Sequence, residues 1–135
     1  MPLQGSAQPA WNGAIGFDIA TRLNSADASK YASQGFKFCI RYVSRDEDAR
    51  RYNDANGMPD LTESEAEEIL GAGLALMLVQ HCPLRGWHPT GPLGKAYGEN
   101  AASFAADAGL PGQVNLWLDL EGIAENTDRQ DIIDY

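Results

Sequence analysis

Two acids stand two residues apart in the run Leu116-Trp117-Leu118-Asp119-Leu120-Glu121-Gly122, at the end of an alternating apolar pattern. Side chains two apart on a strand point the same way, so Asp119 and Glu121 share a face, with Cα atoms roughly 6.6 to 7 Å apart. Packing like charges together raises the proton affinity of at least one of them, which keeps a neutral acid available near neutral pH. This is the equipment for acid-assisted cleavage of a glycosidic bond. Glu121, further along the strand, is the candidate general acid. Asp119, kept ionised, would stabilise positive charge at a sugar carbon or assist an acetamido group. Asp18 ends an earlier alternating segment and is the third catalytic candidate, placed to orient groups or tune its neighbours. An Asp-x-Glu pair alone is a weak signal, because acids at strand ends also cap loops and pair with bases.

Five further residues could hold substrate. Arg41 projects from the second strand pattern and is expected to pair with Asp18 or Asp119, a role as readily structural as catalytic. Gln80 and His81 end the third strand, where they can hydrogen-bond a sugar or serve simply as the first loop residues. Trp87 and Tyr97 follow in the next loop and helix; an indole can stack on a pyranose ring, though packing is the commoner use of aromatics. A metal is not expected, since His81 and His88 lie seven apart without a helical pattern and no paired cysteines stand nearby. No cofactor is expected either: the chain has neither a Gly-x-Ser-x-Gly elbow nor a phosphate-binding Gly-x-x-x-x-Gly-Lys loop.

The elements that must position these residues alternate in type. Ala14 to Ala20 reads as a strand, with Ile15, Phe17 and Ile19 opposed to Gly16, Asp18 and Ala20. Asn24 or Ser25 caps a helix that Gly35 stops. Phe36 to Val43 is a second strand, followed by a polar stretch, Ser44 to Asp60, that reads as a long loop. Thr62 and Glu65 have capping-box spacing for the next helix, with Ile69 and Leu70 on its buried side. The unbroken apolar run Leu74 to Gln80 predicts a parallel strand covered on both faces. A second Pro- and Gly-rich loop leads to a helix through Tyr97, Ala101, Phe104, Ala105 and Ala108. Val114 to Glu121 is the fourth strand. Strands separated by helices are parallel, which leaves a doubly wound sheet or a barrel.

With 135 residues, 44% of them hydrophobic and 21% charged, one domain with one core is expected. Residues 1–12 read as a flexible arm and 13–135 as the domain. The net charge of -9 repels phosphate backbones, so nucleic acid is an unsuitable main partner, and a neutral polymer such as a polysaccharide suits the surface better. No apolar run approaches the roughly 20 residues that a bilayer demands, and Met1 to Trp11 lacks the features of a secretory signal. Cys39 and Cys82 are too few for a disulfide framework, and Cys39 reads as a small buried hydrophobe. Ile132, Ile133 and Tyr135 look like the opening of an amphipathic helix. A barrel runs to about 250 residues, so four strands suggest its N-terminal half, cut after strand four, with an open sheet to be covered by the missing half or a self-associating partner.

Taken together, Gly16-Phe17-Asp18-Ile19-Ala20-Thr21-Arg22, Gly35-Phe36-Lys37-Phe38-Cys39-Ile40-Arg41-Tyr42, Ala72-Gly73-Leu74-Ala75-Leu76 and Leu116-Trp117-Leu118-Asp119-Leu120-Glu121 resemble one family. It is the glycoside-hydrolase-like family catalogued as domain of unknown function 1906, which is similar to the family 25 lysozymes. The resemblance implies a TIM (β/α)8 barrel in which an aspartate on strand one and an Asp-x-Glu on strand four line a sugar site; Asp18, Asp119 and Glu121 match those positions. It further implies an N-acetylated, peptidoglycan-type substrate and an extracellular or cell-wall setting. The alternative expectation is a module that binds glycan without cutting it.

Overall fold

The structure is a computed structural model and describes residues 3–135; Met1 and Pro2 of the expected arm lie outside the described residues. Four parallel strands, β1 (Gly16–Asp18), β2 (Phe38–Val43), β3 (Ala75–Gln80) and β4 (Leu116–Leu118), form one sheet in the order β1-β2-β3-β4. Sequence order is kept across the sheet, with no point at which it reverses. A doubly wound sheet has such a reversal and a barrel does not, so the chain is a partial, barrel-like α/β fold.

Register fixes the two faces. Gly16, Phe38 and Ala75 lie side by side at the start of their strands, and Asp18, Ile40 and Met77 lie two residues further on. Val79 pairs with Tyr42 and with Trp117, so Tyr42, Val79 and Trp117 continue the same face. On the opposite face Cys39, Arg41, Val43, Leu78 and Gln80 are buried, while Leu118 at the β4 edge is exposed. There Cys39, Val43 and Leu78 join Ala28, Ala66, Ile69, Leu74, Ala101 and Phe104 in the core. Burial of each large aliphatic in this set contributes about 1.5–3 kcal/mol.

The helices follow from local chemistry. The Asn24 side chain accepts from the Asp27 amide at 2.9 Å and starts α1 (Ser25–Ser33). Thr62 accepts from the Glu65 amide at 3.4 Å and starts α3 (Glu63–Gly71). Gly35 and Gly73 follow these two helices with φ of 97° and 84°, a left-handed turn that side chains resist, which returns the chain to β2 and β3. Phe17, Tyr31 and Phe36 clamp α1 onto the sheet, with Phe17 stacked on Tyr31 at 4.0 Å and edge-on to Phe36 at 5.3 Å.

Two stretches differ from the sequence reading. The supposed loop Ser44–Asp60 contains α2 (Glu47–Ala55), capped by Asp46 and buried through Ala49 and Asn53. Its many charges hide a helix that buries only one narrow stripe. The next helix, α4 (Gly91–Asp107), begins earlier than its apolar periodicity suggested, because Thr90 caps it and Pro92 fits its first turn. After β4, Asp128 caps α5 (Arg129–Asp134).

At the N-terminal ends of the strands the arm lies against the sheet. The Leu3 amide donates to the Gly109 carbonyl at 3.0 Å, and residues of the arm, with Phe38, Met77 and Trp117, line an open cavity of about 610 Å³. Gly16 has a tighter role: a Cβ there would stand 2.1 Å from the Phe38 ring. Gly16→Ala is therefore expected to lower stability by about 1–3 kcal/mol, measured as a fall in urea midpoint, because Phe38 must leave its place on the neighbouring strand.

Candidate functional site

At the C-terminal ends of the strands, Tyr42 is the residue around which the acids gather. Its hydroxyl donates to Asp18 Oδ2 at 2.8 Å, joining β2 to the end of β1. Its acidity is suppressed, first by burial, then by the bond to Asp18, and then by the charges of Asp18, Asp119 and Glu121. Acids from both outer strands of the sheet thus bear on one phenol. The sequence reading turned Arg41 toward the acids and gave its strand neighbour Tyr42 no role. What could have found it is its position two residues beyond the partner of Asp18 in a parallel ladder.

The Asp-x-Glu pair is arranged differently from a plain strand. The ladder ends at Leu118, with a last bond from the Asp119 amide to the Gln80 carbonyl at 3.3 Å. The chain then bends, and Asp119 Oδ1 accepts from the Glu121 amide at 3.1 Å. That local bond, and not strand alternation, sets the two acids relative to each other. Glu121 is exposed and Asp119 half-buried. Cys82 closes this side: burial and then the nearby charge of Asp119 hold its acidity down. Cys39, on the buried face, is pushed up to about 12 by burial and is a core thiol.

His81 follows β3, and its ring stacks on Tyr42 at 4.3 Å. Burial pushes its basicity down, against the opposing pull of the Asp60 and Asp119 charges. Trp87 is tied to the acid turn. Its indole nitrogen donates to the Glu121 carbonyl at 2.9 Å, its backbone bridges Ile123, and its ring meets Tyr135 edge-on at 5.1 Å. Tyr97 joins the same aromatic corner, 6.3 Å from Tyr135.

Two expected substrate-binding residues stand elsewhere. Arg41 does not meet Asp18 or Asp119; it lies on the helix-covered face, wholly buried, with Nε 2.7 Å from Glu65 Oε1. Strand parity makes this inevitable, since Tyr42 is the neighbour that faces the acids. Glu65 in turn is taken from the expected capping box: its carboxylate accepts from Arg41 and from the Leu23 amide, not from its own helix start. Gln80 is also on the buried face, where Nε2 donates to the Tyr97 carbonyl at 2.7 Å and anchors α4. The structure therefore gathers Asp18, Asp119, Glu121, His81 and Trp87 with Tyr42, and turns Arg41 and Gln80 away. Among the described residues, no group of three or more His, Cys, Asp or Glu side chains is spaced to hold a metal ion, and no helix is long and apolar enough to cross a membrane.

Comparison with known proteins bears on the same region. Residues 29–135 match the family model described as Rv2525c-like, glycoside hydrolase-like domain. Two crystal structures of the Mycobacterium tuberculosis Tat-secreted protein Rv2525c are similar in fold. The orthorhombic form, in complex with L-tartrate, aligns with a TM-score of 0.68 at 22% identity, over 87% of this chain and 57% of that one. A monoclinic form in complex with HEPES aligns with a TM-score of 0.66 at 21% identity, over 87% and 58%. This chain thus spans less than two thirds of the length of the solved protein that it matches. A search of curated proteins finds no match.

Proposed function

This chain belongs to the Rv2525c-like, glycoside hydrolase-like domain family, and from that premise we propose that its carboxylate mouth acts on an N-acetylated, peptidoglycan-type glycan. The observation that carries the reading is the hydrogen bond from Tyr42 to Asp18, on a phenol that also feels Asp119 and Glu121. In this reading Glu121 protonates the departing sugar oxygen. Asp119 remains ionised and supports the acetamido group or water that attacks the sugar carbon, and Asp18, held by Tyr42, keeps the pocket anionic as positive charge develops. Trp87, beside Glu121, offers the ring against which a pyranose packs. Secretion of Rv2525c suits an exported protein acting at the cell wall, and the acidic surface suits a neutral polymer.

One observation favours a second reading, a module that holds glycan without cutting it. Glu121 is exposed, whereas a general acid keeps its proton through burial. Release of reducing ends from peptidoglycan or chitin fragments separates the two. Hydrolysis predicts release by the purified protein and a fall of at least about 100-fold in Glu121→Gln. Equal rates in the two proteins remove the catalytic role. Retention on insoluble wall material with no release at all supports the binding module.

A further inference from the structure

Two buried side-chain atoms next to the mouth have no hydrogen-bonding partner among the described residues: Nε2 of His81 and Oδ2 of Asp60. Buried polar atoms are seldom left so, and two of opposite capacity, a ring nitrogen that can donate and a carboxylate oxygen that can only accept, suit each other. Asp60 is only 5% exposed and held firmly. Its Oδ1 accepts from the Ser44 hydroxyl at 2.7 Å, and the Ser44 oxygen accepts from the Asn53 amide at 2.9 Å. The Arg50 guanidinium stands 3.6 Å from Oδ2 and stacks over Phe104, so a cation lies beside the carboxylate without a direct hydrogen bond to it. On the other side, the His81 ring lies flat against Tyr42, whose hydroxyl orients Asp18.

We propose that Asp60 is a positioning residue for the carboxylate mouth, its Oδ2 receiving the Nε2 proton of His81 through one bridging water. A bridge is the natural link because neither atom has a direct partner and their backbones meet at the end of β2, where the Leu61 amide donates to the Tyr42 carbonyl at 3.1 Å and the His81 amide to the Val43 carbonyl at 3.0 Å. The link fixes the neutral imidazole as the Nε2–H tautomer, with Nδ1 as an acceptor. It also fixes the ring plane on which Tyr42 rests. Asp60 then governs the direction of the Tyr42 hydroxyl, and hence the setting of Asp18, from a distance and without touching substrate. The charges acting on His81 are Asp60 and Asp119, which favour its protonation, and Arg41 and Arg45, which oppose it. The role of this device in glycan chemistry rests on the reading above, but the device itself is tested without any glycan.

The chain has two histidines, so His88→Gln leaves His81 as the single imidazole signal. Nitrogen-15 NMR of that protein above the His81 titration is expected to show Nε2 protonated and Nδ1 bare. Asp60→Asn, which keeps the shape and removes the charge, is expected to lower the His81 titration midpoint by about one unit, because the lost charge was favouring the protonated ring. Asp60→Ala is expected to let the Nδ1–H tautomer appear. If Asp60→Asn does not fold, Ser44→Ala replaces it: with Oδ1 released, the carboxylate turns and the His81 midpoint again falls. A protonated Nδ1 in the His88→Gln protein, or a His81 midpoint that ignores these substitutions, overturns the proposal. A protein that cuts no glycan but shows these shifts would sink the catalytic reading and leave the positioning link standing.

Discussion

Glu65→Ala is expected to lower unfolding free energy by about 3–5 kcal/mol, which is most of what holds many domains together. Arg41 and Glu65 are 0% and 2% exposed, with contacts of 2.7 Å from Nε to Oε1 and 3.2 Å from Nη2 to Oε2. Glu65 Oε1 also accepts from the Leu23 amide at 2.7 Å. Truncating Glu65 strands a guanidinium in the core and orphans that amide. Arg41 has further duties, donating to the carbonyls of Ile19, Ala20 and Pro59. Those carbonyls belong to the turn just after Asp18 and to the residue before Asp60, so the ion pair braces both carboxylates from behind. Urea unfolding of Glu65→Ala, Arg41→Met and the double variant checks this. The double variant should be clearly more stable than the sum of the single losses predicts, because it leaves no unpaired charge. Additive losses would refute the account.

On the proposed hydrolytic reading, Asp119→Asn should reduce glycan turnover at least about 100-fold while leaving the fold intact. The amide oxygen of asparagine can still accept from the Glu121 amide, so the turn bond of 3.1 Å survives and only the charge is lost. Asp119→Ala loses both, and any additional loss of rate measures what the turn bond contributes. Cys82 supplies an independent readout. Its thiol is kept protonated by burial and by Asp119, so Asp119→Asn should lower its pKa and speed its alkylation at mildly alkaline pH. Unchanged alkylation would mean that the two side chains are not neighbours. Turnover that persists would remove Asp119 from the chemistry.

The sheet was legible because its signals are local and repeated. Alternation in Gly16–Asp18 and Phe38–Val43, and the unbroken run before Gln80, each identify a parallel strand. The choice of a barrel over a doubly wound sheet came from resemblance, since strand order is a long-range property that no single segment encodes. Helix α2 escaped because its residues are mostly charged and only Ala49 and Asn53 are buried. The acids were found as motifs, but their partners were not. Arg41 was assigned to them because opposite charges attract, while parity along β2 sends it to Glu65 on the far face. Tyr42 was passed over because an aromatic in a strand reads as packing, and its bond to Asp18 depends on the register between β1 and β2. Asp60 and His81 are 21 residues apart in sequence, and nothing in their spacing marks the charge of one as bearing on the other.

Three indoles, Trp11, Trp87 and Trp117, report on different parts of the molecule. Trp87 stands at the carboxylate turn, whereas Trp11 lines the cavity at the other end of the strands. Titration with an oligomer of N-acetylglucosamine, followed through the indole N–H signals, asks most directly whether the mouth around Tyr42 receives glycan. Saturable movement of the Trp87 signal with Trp11 unmoved is the predicted result. A still Trp87 signal, or movement confined to Trp11, would contradict it.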